Sequence, residues 1–150
     1  VTINCINRGL SLTSSKRILL RKKLMSLQRF KRLNYFNLIA NMCFTAITTL
    51  GAAYLVCLSI AKELKSVRRQ KPLFRFLTKC FESFITESAS IAKGIKIQVK
   101  GRLNGAPRAR HKIICVGKVP VQSIAVNISY YQTMVHNSNG SYGIKVWVCY

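Results

Sequence analysis

Residues 92–110 read AKGIKIQVKGRLNGAPRAR. Ile95, Ile97 and Val99 alternate with Lys96, Gln98 and Lys100. A period of two, with one apolar and one polar face, is the pattern of a half-buried strand. Gly101 ends the alternation, and Asn104-Gly105 predicts a turn because both residues tolerate a positive φ. Pro107 keeps the loop from running on as a ladder strand. Lys96, Lys100, Arg102, Arg108, Arg110 and Lys112 surround this turn with no acid among them. Guanidinium forks on a loop carried by a rigid strand suit phosphate oxygens. The plain alternative is a solvated hairpin, but solvated faces normally mix signs and this one does not.

The charge imbalance extends over the whole chain. Its 150 residues hold 25 Lys+Arg against 3 Asp+Glu, a net charge of +22. All the acids are glutamates: Glu63, Glu82 and Glu87. Such a chain repels itself unless a polyanion neutralises it, which leaves nucleic acid or an anionic membrane. A hydrophobic content of 49% excludes compositional disorder and provides one domain with a core, with room for an extension. Carboxylate dyads, Mg²⁺ sites and Asp-supported triads need acids that are scarce here, so no enzyme, catalytic residue or cofactor is expected. His111 and His136 have no acidic partner in sequence. The six cysteines (Cys5, Cys43, Cys57, Cys80, Cys115, Cys149) show no CxxC or finger spacing, so no metal site is expected. They read as reduced, buried thiols of an interior compartment.

Residues 1–32 carry nine basic residues and no acid, interspersed with Ile18, Leu19, Leu20, Leu24, Met25 and Leu27. A basic helix with an apolar stripe fits, as an RNA-binding arm first, with a transit peptide or a membrane-surface helix as alternatives. From Leu33 to Ala61 no residue is charged. That length alone permits a membrane span, but Asn37, Asn41, Thr45, Thr48, Thr49 and Gly51 weaken it. A buried helix is the preferred reading. Lys62, Lys65, Arg68, Arg69, Lys71, Arg75 and Lys79 form a second cationic block, which Pro72 is expected to split between two helices. In the second, Leu73 to about Ala89, residues Leu73, Phe76, Leu77, Cys80, Phe81 and Phe84 make a core-facing stripe, and Arg75 and Lys79 share another face. Strands follow at 111–116, 124–136 and 144–148, with turns at Gly117–Pro120 and Asn137–Ser141.

The stretch GIKIQVKGRLNGAPRAR (94–110) resembles the GxKxxxxGRLxGAxxAR signature of the C-terminal domain of small-subunit ribosomal protein 3. Gly117-Lys118-Val119-Pro120 resembles that family's G-R-x-P. Tyr130, His136 and Gly143–Val148 fall where it has DY, AH and GVKVW segments. LGAAYLVCLSIAKELK (50–65) is similar to its helix entering the domain. The family's F-R-R-A-x-K helix lines the channel by which mRNA enters. Phe74-Arg75 and Lys79 match it, while Phe76 stands where its second arginine would be. The KVWVCY ending resembles plant and protist mitochondrial versions. The family's KH domain, with its GxxG clamp, is not recognisable in residues 1–54; it lies on another polypeptide, was lost, or lies outside this chain.

Pattern and resemblance together predict an α+β fold. Two helices pack on one face of a mostly antiparallel four-stranded sheet, preceded by a basic helical extension. The expected division is 1–54 for the extension and 55–150 for the ribosomal protein 3 C-terminal domain. The resemblance implies a structural constituent of the small-subunit head that binds ribosomal RNA near the mRNA entrance. Its expected RNA-binding residues are Arg68, Arg69, Arg75, Lys79, Lys96, Lys100, Arg102, Arg108, Arg110, Lys112 and Lys118. It also implies partners: small-subunit ribosomal RNA, neighbouring head proteins, mRNA, and a separate polypeptide carrying the KH part. The implied location is the mitochondrial matrix, within the ribosome. The rivals are a non-ribosomal RNA-binding module and a membrane-anchored basic protein using Leu38–Ala61 as its span.

Overall fold

The structure, a computed structural model, describes residues 27, 30, 36–67, 69–85 and 91–150. Three helices, α1 (Phe36–Thr48), α2 (Ala53–Ser66) and α3 (Gln70–Ile85), precede four strands. The strands are β1 (Gly94–Gly101), β2 (Arg110–Gly117), β3 (Ile128–Asn137) and β4 (Gly140–Cys149). They form one sheet in the order β2-β1-β4-β3, antiparallel throughout.

The alternation read in β1 does what it promised. Ile95 pairs with Val148, Ile97 with Val146 and Val99 with Ile144, and all six side chains are buried on one face. Two helices cover that face. α2 lies on β3 and β4, using Val56, Cys57, Ile60 and Leu64. α3 lies against β2, and its buried residues include Leu73, Phe76, Leu77, Cys80 and Phe81, the stripe expected from the spacing. α1 packs on α2 and α3. Leu27 is buried and Phe30 half-buried against the same core; the rest of the basic extension lies outside the described residues.

Four local expectations need correction. The uncharged run 33–61 is not one helix: it breaks at Thr49–Ala52, where Gly51 takes a left-handed φ of 77°. The two helices have 13 and 14 residues, and a span needs about 20. No helix among the described residues is long and apolar enough to cross a membrane, so Leu38–Ala61 does not form the single span of the membrane rival. Pro72 does not mark the break between α2 and α3. It lies in the first turn of α3, where its missing N–H would have had no helical partner. β3 begins at Ile128, not Ile124. Ile128 already pairs with Cys149, the last residue of β4, so residues 124–127 have no strand opposite, and Ile124 is exposed.

The cysteines are the fourth. Cys43, Cys57, Cys80 and Cys149 are buried as free thiols, but Cys115 is exposed, because it falls on the outward-facing parity of β2. Burial holds Cys43 well above the ordinary thiol range, with Cys80 alongside reinforcing the shift. Burial also raises Cys57 to about 11, outweighing a backbone hydrogen bond from Thr133 that lowers it. The sequence Gly140-Ser141-Tyr142-Gly143 has GxxG form, yet it is the paired start of β4 rather than a free clamp loop.

Thiolates, not thiols, react with maleimides. At neutral pH, maleimide treatment of the native chain should therefore modify Cys115 and spare Cys43, Cys57, Cys80 and Cys149 until denaturant is added, as read by peptide mass mapping. Phe76 is fully buried, its ring 5.3 Å from those of both Phe30 and Phe36. Phe76→Ala should lower unfolding stability by about 3–5 kcal/mol in chemical denaturation.

Candidate nucleic-acid interface

The turn after β1 is anchored from both sides. Asn104 has a left-handed φ of 55°, and Gly105 follows at 73°. Gln70 N–H, at the start of α3, donates to Asn104 Oδ1 at 3.0 Å. Asn104 N–H donates back to Gln70 Oε1 at 2.6 Å. Asn104 thus caps a helix that begins 34 residues earlier in the chain. Arg102 closes the turn by donating Nε–H to Ala106 O at 3.0 Å. Tyr142, fully buried, donates its hydroxyl to Arg102 O at 3.2 Å. Gly101 is needed here: a Cβ would lie 2.8 Å from Ser141 O and closer still to the Tyr142 ring.

This clamp opens a cleft of about 570 Å³ between α3, the turn and β2. Lys71, Phe74, Arg75 and Thr78 line it from α3; Leu103, Asn104 and Ala106 from the turn; Arg110, His111 and Lys112 from β2 and its first residues. Four permanent cations surround the cleft, and no acid lines it. Phe74, almost fully buried, ties this wall to the core. Lys71 also borders an adjoining recess with Arg69, Pro72 and Asn104. The geometry offers converging ammonium and guanidinium donors on a preformed concave surface, which is chemistry for phosphate oxygens.

The expected RNA-binding residues divide. Arg75, Arg110 and Lys112 meet at the cleft, and Arg69 stands at the adjoining recess. Lys79 sits one turn beyond Arg75 but faces Glu82, at 3.2 Å, in an exposed pair of small energetic weight. Arg102 is exposed but engaged with Ala106, and Arg108 is exposed in the loop before β2. Lys96 and Lys100 alternate out of the core and belong to the opposite face of the sheet, so the loop cations do not form one cluster. Lys118 is exposed past the far end of β2. Arg68 lies outside the described residues. Lys71 was not among the expected contacts, though it was legible, since it stands four residues before Arg75 and shares its helix face; His111, read from the sequence as facing solvent or RNA, also borders the cleft.

A two-layer α+β domain whose cations converge on an acid-free cleft defines a class of protein suited to polyanions. Comparison with known proteins specifies the family. The family model of the ribosomal protein S3 C-terminal domain matches residues 66–148. The chain belongs to the ribosomal protein S3 family. It is 35% identical over 99 residues to small ribosomal subunit protein uS3 of Fusobacterium nucleatum subsp. nucleatum, covering 65% of this chain and 42% of that protein. It is 50% identical over 58 residues to uS3c of Ostreococcus tauri, covering 39% of this chain and 28% of that one. To uS3c of Vitis vinifera it is 35% identical over 119 residues, 79% of this chain and 52% of that relative. The chain therefore spans roughly half or less of the length of these relatives.

Asn104→Ala removes the acceptor for Gln70 N–H and places a Cβ-bearing residue without a local hydrogen bond at positive φ. It should lower stability by about 2 kcal/mol in urea denaturation. Asn104→Gly keeps the conformational freedom and should lose less; the difference between the two measures the backbone strain.

Proposed function

We propose that the chain is a structural constituent of the small ribosomal subunit, holding ribosomal RNA in the cleft between α3 and β2. The observation that carries this reading is the cleft itself: Lys71, Arg75, Arg110 and Lys112 converge with no acid lining it, in a domain of the S3 family. Backbone contacts of this kind fix position without reading sequence, the role of an architectural protein rather than a catalyst. The relatives, all small ribosomal subunit proteins, support the same assignment.

The finer reading places the domain in the subunit head, beside its ribosomal protein neighbours and near the mRNA entrance. Arg75 is free to face RNA there, but Phe76 is core, so this helix offers fewer cations to mRNA than the family pattern implies. Contact with ribosomal RNA is the better use of Arg75. The mitochondrial placement rests on the resemblance of the KVWVCY ending alone, since the relatives are bacterial and chloroplast-type proteins. A non-ribosomal RNA-binding module would have the same cleft but would not stay with subunits.

Sedimentation of organelle lysate through a detergent-containing sucrose gradient separates these readings. The chain should travel with the small subunit at moderate salt and remain there at high salt. Release at modest salt would favour a peripheral RNA binder, and absence from the small-subunit fractions would sink the ribosomal reading. On isolated structured RNA, Arg75→Gln combined with Arg110→Gln should weaken binding at every sequence tested. The slope of log affinity against log salt should fall by about 1 for each lost phosphate contact.

A further inference from the structure

The helices cover only one face of the sheet. On the other, the register places Cys115, Lys96, Trp147 and Tyr130 in a single row across β2, β1, β4 and β3. The Trp147 and Tyr130 rings stand 5.3 Å apart, tilted by 38°. Lys96 Nζ lies 5.3 Å from the centre of the Trp147 ring. Tyr130 donates its hydroxyl to Gln132 at 2.8 Å, which fixes its ring on the surface. Lys145 stands exposed in the next row of this face and Lys100 in the row beyond it. No strand carries an acidic residue. Beyond Lys96 a recess of about 520 Å³ continues the surface, walled by Val119–Ser123.

This combination selects its occupant. A protein surface packed here would have to bring acids of its own opposite Lys96, Lys100 and Lys145 while also covering the two rings. A duplex would satisfy the lysines but present no free base to the rings. An unpaired strand satisfies both, because its phosphates meet ammonium groups and its unstacked bases meet aromatic faces. We propose that the open face of the sheet is a second RNA contact, distinct from the cleft, which takes a single-stranded segment with bases stacked on Tyr130 and Trp147 and phosphates held by Lys96, Lys100 and Lys145. It rests on the RNA-binding reading above and adds the kind of RNA bound. On binding, Lys96 exchanges its half-buried cation–π contact for a charge-assisted hydrogen bond to phosphate.

Trp147 is the only tryptophan in the chain, so its fluorescence reports this face directly. The full chain is titrated with a short oligouridylate and, separately, with a blunt RNA duplex. The oligouridylate should quench Trp147, and Tyr130→Leu should weaken its binding roughly tenfold or more while leaving duplex binding unchanged. Arg75→Gln, in the cleft, should weaken the duplex and leave the quenching intact. Oligouridylate binding without quenching, or indifference to Tyr130→Leu, overturns the proposal while duplex binding preserves the cleft; failure of both RNAs to bind removes both readings. In small subunits purified by gradient, ultraviolet irradiation should leave nucleotide adducts on the peptides containing Tyr130 or Trp147. Cross-links from these residues to a protein would instead assign the face to a protein partner and overturn the proposal.

Discussion

Two hydrogen bonds between Gln70 and Asn104 determine where the charge of this protein goes. α3 supplies Lys71 and Arg75, β2 supplies Arg110 and Lys112, and the turn between β1 and β2 is bonded to the start of the helix. Fixing that turn to the first amide of α3 fixes the distance between two walls of like charge. Such walls repel one another, so the bonds oppose a force that would otherwise widen the cleft. Gln70 is fully buried for this purpose, and among the described residues its Nε2 has no hydrogen-bond partner. An unmet buried amide donor costs about 1–3 kcal/mol. The clamp is therefore held against both a charge repulsion and a desolvation penalty, and the core beneath it must supply the difference.

That core is ordinary in composition and specific in geometry. β1 and β4 lie at the centre of the sheet, and their apolar residues face α2 and α3 in register. Because side chains alternate strictly, the same register that buries Ile95, Ile97 and Val99 turns Lys96, Gln98 and Lys100 outward. A slip of one residue would bury the lysines. The cationic outer face and the apolar inner face are thus one constraint seen from two sides. A net charge of +22 calls for a counter-charge, and the register sets lysines outward where one can reach them.

What was legible in the sequence was periodic and local. The strand β1, the stripe on α3 and the turn at Asn104-Gly105 follow from spacings of two, three and four residues. The partition of cations was not legible, because it depends on which face of a strand the helices choose and on which loop meets which helix end. Lys96 and Arg110 look like neighbours around one turn, yet they serve opposite faces. The break at Gly51 was hidden by an unbroken run of uncharged residues, and the late start of β3 by apolar residues at 124 and 126 that have no strand to pair with. Asn104 read as a turn residue; its second role, capping a distant helix, has no local signature.

Phe76 shows how a departure from a family pattern acquires a physical reason. Adjacent helix positions lie about 100° apart, so 75 and 76 can both face solvent only on a helix with a wide exposed side. Here α3 is enclosed on two sides, by β2 and by α1, and position 76 falls on the enclosed arc. Phe36, from the start of α1, and Phe30, ahead of it, both reach the Phe76 ring. An arginine at 76 would carry an unpaired charge into that aromatic cluster, a change severe enough to outweigh any gain in contact with RNA. Phe76 and the packing of Phe30 and Phe36 against it thus form one buried aromatic cluster. The cations by which this helix meets the cleft are Lys71 and Arg75.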